Sequence, residues 1–249
     1  MPIGDKNPSS EPLPAMSTLT AAVVAPPRDN YTLFVNGAMN PAIHHAQWYR
    51  MIGAIDEQEL QLALKSPNSG TTPIGSMVEL VSPNIVVRCQ PGQWSISATE
   101  EALWSRMMEI LSLVFFKLQE TPVSAIGLAS QRHLDTEAAD IKSVLGARIA
   151  SLGLGLPSGR RSTQSTILLN VLEGDYELST TIQPSVLNVR AVFGAYNRTY
   201  PTPKGFEYFD VGPLLSERLS SFMSASKSFF ANLVADIDAD PAAERAPQR

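Results

Sequence analysis

The chain has 249 residues, 24 acidic against 19 basic side chains for a formal net charge of −5, three histidines and one cysteine. That length holds one large domain or two small ones with a proper core. The acidic balance argues against nucleic acid or an anionic membrane as partner, and a lone cysteine excludes an internal disulfide or a multi-cysteine zinc site.

Residues 1–29 carry Pro2, Pro8, Pro12, Pro14, Pro26 and Pro27 among Ser, Ala and Thr. A segment with so little to bury is expected to be disordered. Its longest small-apolar stretch, Ala21 to Ala25, is too short for a signal peptide or a membrane span, so cytoplasmic residence is expected. Tyr31 to Val35 reads as a strand ending at the turn Asn36-Gly37. Asn40-Pro41 reads as a helix cap followed by a proline at the first helical position. Asp56 and Glu59 have the spacing of a capping box for a short helix through Leu64.

Three strands follow at Met77–Val81, Ile85–Cys89 and Trp94–Ser97, joined by the turn sequences Ser82-Pro83-Asn84 and Gln90-Pro91-Gly92-Gln93. Leu103, Met107, Ile110, Leu111, Val114, Phe115 and Leu118 then fall on one helical stripe, capped by Ser97 or Thr99 and stopped by Pro122. Val123 to Leu128 reads as a central strand held close to its neighbour at Gly127, and 136–151 as a helix. Strands at Ser165–Leu172, Tyr176–Gln183 and Leu187–Tyr196 lead to a final helix with Leu215, Leu219, Phe222, Ser226, Phe229, Phe230 and Leu233 on its buried side. From Ala235 onward the chain reads as an acidic disordered tail.

Strands joined by short turns pair antiparallel, so the class is α+β: an antiparallel sheet built from two strand meanders, each followed by a long amphipathic helix packed on one face. The expected domain spans 30–234, with 30–133 and 134–234 as candidate halves of a repeat.

The residues that could carry chemistry are few. His44-His45 point roughly 100° apart on a helix and so do not form the one-face ligand pair of positions i and i+4. One of them is expected to cap or pack the helix and the other to face water. Cys89 lies in an apolar run and reads as a buried thiol. The link Leu152 to Ser162 has glycines at the wrong spacing for a phosphate loop and no following lysine. Asp236, Asp238 and Asp240 imitate the start of a calcium loop, but Pro241 stands where glycine is needed. No cofactor-binding or metal-binding pattern emerges.

Two surfaces remain as candidates. His133 follows the central strand, with Asp135 placed to orient its ring, Ser130 as a hydroxyl to activate and Arg160 as a cation, a set suited to a small-ligand site or hydrolase. The aromatic residues Tyr196, Tyr200, Phe206, Tyr208 and Phe209 gather around an expected loop over 197–210, which either packs on the sheet or faces a protein partner.

Thr121-Pro122-Val123-Ser124-Ala125-Ile126-Gly127-Leu128 with His133, and Pro184-Ser185 before Asn197, resemble an uncharacterised group of bacterial proteins of about 250 residues. The likeness covers residues 31–200 and departs at Ala129, where asparagine is expected. It implies a bacterial origin and no activity. The strand and helix order also looks like that of SecB-type export chaperones, at the level of topology alone. Charged residues form only 17% of the chain, against roughly 25% in typical soluble proteins. A surface so easily desolvated favours a non-catalytic interaction or assembly protein whose partner is a protein or a second copy, bound through the aromatic loop or an open sheet edge.

Overall fold

In the computed structural model, residues 28–80, 84–151, 166–202 and 211–239 are described. The expected disorder of residues 1–27 lies outside them, as do Arg160, Phe206, Tyr208 and Phe209.

Among the described residues nine strands make one antiparallel sheet. They are β1 (Asp29–Gly37), β2 (Gly70–Thr72), β3 (Gly75–Leu80), β4 (Ile85–Gln90), β5 (Gln93–Ala98), β6 (Val123–Asp135), β7 (Ile167–Glu173), β8 (Tyr176–Pro184) and β9 (Ala191–Pro201). Their order across the sheet is β2-β3-β4-β5-β1-β6-β9-β8-β7. The α+β class follows directly, since every pairing is antiparallel and the helices lie between and after the strands.

Strict alternation assigns the two faces. On β1, Tyr31, Leu33 and Val35 are buried while Asn30, Thr32 and Phe34 are only half-buried. Register carries this pattern sideways, setting Leu33 opposite Ile96 on one side and Leu128 on the other. The buried face is covered by α3 (Trp104–Lys117), α4 (Ile141–Ser151) and α5 (Val211–Asp238), with the shorter α1 (Ala46–Met51) and α2 (Glu57–Lys65) over the β3–β5 end. Met107, Ile110, Leu111 and Val114 of α3 are fully buried, as the stripe predicts. Trp104 of α3 and Phe222 of α5 meet edge to face across 6.0 Å, joining the two helices above the sheet centre. No described helix lies on the opposite face, which carries Val86, Arg88, Gln131, His133 and Phe193.

Local signals mostly hold. Asp56 and Glu59 form both halves of the capping box, at 2.8 and 2.9 Å. Asn40 caps a 3₁₀ turn at Pro41–Ile43. Helix α3 is different: a 3₁₀ turn at Glu101–Leu103 leads into it and no side chain caps it. Helix α4 starts at Ile141 rather than 136, and α5 continues through Asp238, into the expected tail.

Two corrections bear on function. Strand β6 runs on past Leu128 to Asp135, so Ser130, His133 and Asp135 are strand residues. Strand β9 runs to Pro201, so 197–201 is strand, and Tyr200, like Tyr196, is a strand residue rather than part of a loop.

Candidate functional site

On β6 the alternation separates the residues that the sequence seemed to group. Ser130 points to the helix-covered face, between Tyr31 on β1 and Tyr196 on β9, and is 1% exposed. His133, three residues on, points to the opposite face. The sheet itself lies between the two side chains, so His133 cannot activate Ser130. Asp135 shares the face of His133 but ion-pairs with Arg28, more than half exposed, and does not orient the ring.

The ring of His133 is held by a residue the sequence reading did not bring to it. His133 Nδ1 lies 2.7 Å from Ser185 Oγ, in the turn after β8. That hydroxyl oxygen also accepts the Leu187 N–H at 3.0 Å, a local turn bond. The Phe193 ring lies tilted against the imidazole at 5.0 Å between centroids, as its direct cross-strand neighbour on β9. Burial lowers the pKa of His133, with the nearby Arg28 cation acting the same way and Asp29 opposing.

His133 borders a cleft of about 340 Å³ on the uncovered face, shared with Asn30, Arg88, Ser97, Gln131 and Phe193. Its polar lining consists of amides, the hydroxyls of Ser97 and Thr99, an imidazole and one guanidinium, with no carboxylate. Such a set can hydrogen-bond a neutral or anionic ligand. It does not supply a nucleophile, a base and an orienting acid in one chain of contacts. Among the described residues no three His, Cys, Asp or Glu side chains gather to hold a metal ion. Cys89 is fully buried, and burial pushes its thiol up to about 12, which leaves it protonated and inert.

The histidine pair is structural at both positions. His45 caps α1, accepting the Trp48 N–H at 3.2 Å. His44 does not face water: it is 1% exposed and bonded to Tyr49 Oη at 2.8 Å.

The two described residues of the aromatic set, Tyr196 and Tyr200, are also inward. Tyr196 and Tyr200 are 6% and 3% exposed, with Tyr196 against Phe222 and Phe229 of α5. They form core and present no surface to a partner in this fold.

Exposed apolar surface gathers elsewhere, on β7. This strand is the last of the sheet, and among the described residues no strand pairs with its outer edge. Leu168, Leu169, Val171 and Leu172 are exposed, Leu172 by 77%. They alternate, so both faces of the strand are apolar. The sequence signal was a continuous apolar run, Ile167-Leu168-Leu169 with Val171-Leu172, of the kind a strand buried on both faces displays. That run was legible, but its place at the margin was not.

No helix among the described residues is long and apolar enough to cross a membrane. Compared with known proteins, the chain matches no family model, and no curated protein matches it in sequence.

Proposed function

We propose that this chain is a non-catalytic protein-interaction module, working in the cytoplasm of a bacterium, whose binding element is the open edge of β7. The reading takes the two runs of hairpin-joined strands, each ended by a helix on one face, as a frame that holds this edge rigid. One observation carries it: an edge strand of seven residues exposes four large apolar side chains, and among the described residues no strand pairs with its outer backbone N–H and C=O groups. Soluble proteins usually blunt such an edge with charge, proline or a bulge, because it templates pairing with another strand. Here residues 167–172 contain none of the three devices. Strand addition satisfies the backbone groups and buries the side chains in one step.

The test compares the intact chain with a Leu168→Lys/Leu172→Lys variant, in which two exposed leucines become charged. The variant should fold, since neither side chain belongs to the core. Solution mass and affinity capture from the native host should reveal an association, with itself or with another protein, that the variant loses. An association unaffected by the two lysines, or none at all, defeats the proposal.

A second reading rests on the cleft beside His133, where a buried imidazole and Arg88 face the same concavity. If it binds a small anionic ligand, a His133→Ala variant keeps its fold and loses ligand-induced thermal stabilisation. Equal stabilisation of both proteins removes this reading.

A further inference from the structure

We infer that the occupant of the β7 edge is β7 of a second copy, paired antiparallel about a two-fold axis that passes between Asn170 and its copy. This rests on the interaction reading above and names its partner.

Directly opposed residues in an antiparallel pair lie on the same face of the sheet. A two-fold axis normal to the sheet must therefore pass between a residue and its own copy, and the middle of the strand offers three choices. Centred on Leu169, the pairing sets Leu168 against Asn170 of the other copy. Centred on Val171, it sets Leu172 against Asn170 and Leu169 against Glu173. Centred on Asn170, it sets Leu168 against Leu172 on the open face, Leu169 against Val171 on the helix face, and asparagine against asparagine. The sequence Leu168-Leu169-Asn170-Val171-Leu172 is palindromic in polarity about its middle residue. Only that register leaves no leucine facing a polar group across these five positions.

The central amides can then donate to and accept from each other. A single polar pair inside an apolar seam penalises every shifted register, which leaves it unpaired. Charge agrees. Residues 166–172 carry none, and Glu173 falls opposite Ile167, so the two Glu173 carboxylates stand roughly 20 Å apart, about two screening lengths at physiological salt. The other margin of the sheet cannot do this. Strand β2 is Gly70-Thr71-Thr72, three residues with no large apolar side chain. Among the described residues, pairing at β7 joins two nine-stranded sheets into one of eighteen, with the short polar β2 strands at its ends.

A seven-residue strand pair buries less than the roughly 1,200 Å² of a standard interface, so the dimer should form and dissociate with concentration. The test uses the full chain. Analytical ultracentrifugation should show a monomer–dimer equilibrium that Leu168→Lys/Leu172→Lys abolishes. Cysteine scanning then reads the register, helped by the full burial of the native Cys89. Under mild oxidation Asn170→Cys should cross-link to its own copy, because opposed Cα atoms lie roughly 4.5–5.5 Å apart, within disulfide reach. Leu169→Cys should cross-link at least several-fold less, because its counterpart lies on the diagonal at roughly 7–8 Å.

A dimer that cross-links better at 169 or 171 overturns the register, and with it the inference. A strict monomer whose edge still captures another protein overturns self-pairing and leaves the interaction module standing. A chain with no edge-dependent association of any kind defeats both.

Discussion

The ring of Phe34 on β1 occupies the space where any residue other than glycine at position 127 of β6 would carry its Cβ. The two residues are directly opposed in the sheet, on its uncovered face. An aromatic ring laid across a cross-strand glycine substitutes for the packing that glycine lacks. Gly127→Ala forces the ring away and should destabilise the protein by about 1–3 kcal/mol, the range for overpacking. In a Phe34→Ala background the space is free, and the same substitution should cost close to nothing. Urea midpoints of the four proteins test the coupling; equal losses in both backgrounds would show that the ring is not the cause.

Much of this frame is legible in the chain itself. The alternation over 85–98, with turn residues between the strands, specifies a hairpin of known register, and Asp56 with Glu59 specifies a helix start. Those signals are local, so one sequence contains them whole. The failures share a different origin. Polar Ser130, Gln131 and Arg132 interrupt the apolar run of β6, yet the strand continues, because β1 and β9 flank it for nearly its whole length and satisfy its backbone. Reading that strand as finished at Leu128 made Ser130 and His133 seem neighbours, whereas period two sets them on opposite faces. The contact of His133 with Ser185 spans 52 residues of sequence, and nothing local announces it.

The buried pair of His44 and Tyr49 gives the protein a pH dependence with a definite sign. Burial depresses the His44 pKa from 6.5 to about 4, with the adjacent His45 adding to the effect. Above pH 6.5 the imidazole is neutral in both folded and unfolded chains and contributes no slope. Between 6.5 and about 4 the unfolded chain takes up a proton that the native site refuses, so stability falls as pH falls, by about 3 kcal/mol at the limit. A His44→Gln variant should lack that component. Denaturation midpoints from pH 7 to 4 that run parallel for the two proteins would rule it out.

The same site carries a second prediction. Trp94 Nε1 can only donate, and it lies 3.0 Å from Tyr49 Oη. The Tyr49 hydroxyl oxygen therefore accepts from Trp94, and it also lies 2.8 Å from His44 Nδ1. Tyr49→Phe removes one oxygen and strands two buried groups at once. It should destabilise by about 2–4 kcal/mol, more than an ordinary hydrogen-bond deletion, because each stranded group loses its partner without regaining water. Calorimetry decides it: a loss below about 1 kcal/mol would show that water or a rotated ring replaces the hydroxyl.

Arg198 on β9 is the most demanding charge in the described fold. It is 7% exposed on the helix-covered face, and among the described residues no carboxylate forms an ion pair with it. Its guanidinium is held instead by neutral groups. Nε and Nη2 donate to Tyr196 Oη at 3.1 and 2.9 Å, Nη1 donates to Ser221 Oγ at 3.1 Å, and the Tyr176 ring stacks at 4.5 Å. All of these contacts use the planar fork, which an ammonium cannot reproduce. Arg198→Lys keeps the buried charge and loses its contacts, and should cost about 2 kcal/mol or more. Arg198→Met keeps the length, removes the charge and leaves two hydroxyls short of a donor, and should cost less than the lysine. That inverted order, with the charge-conserving change the worse one, is what equilibrium unfolding should return. If lysine is tolerated better than methionine, the site stabilises positive charge as such, and the stacked, forked geometry is not what holds β9 beneath α5.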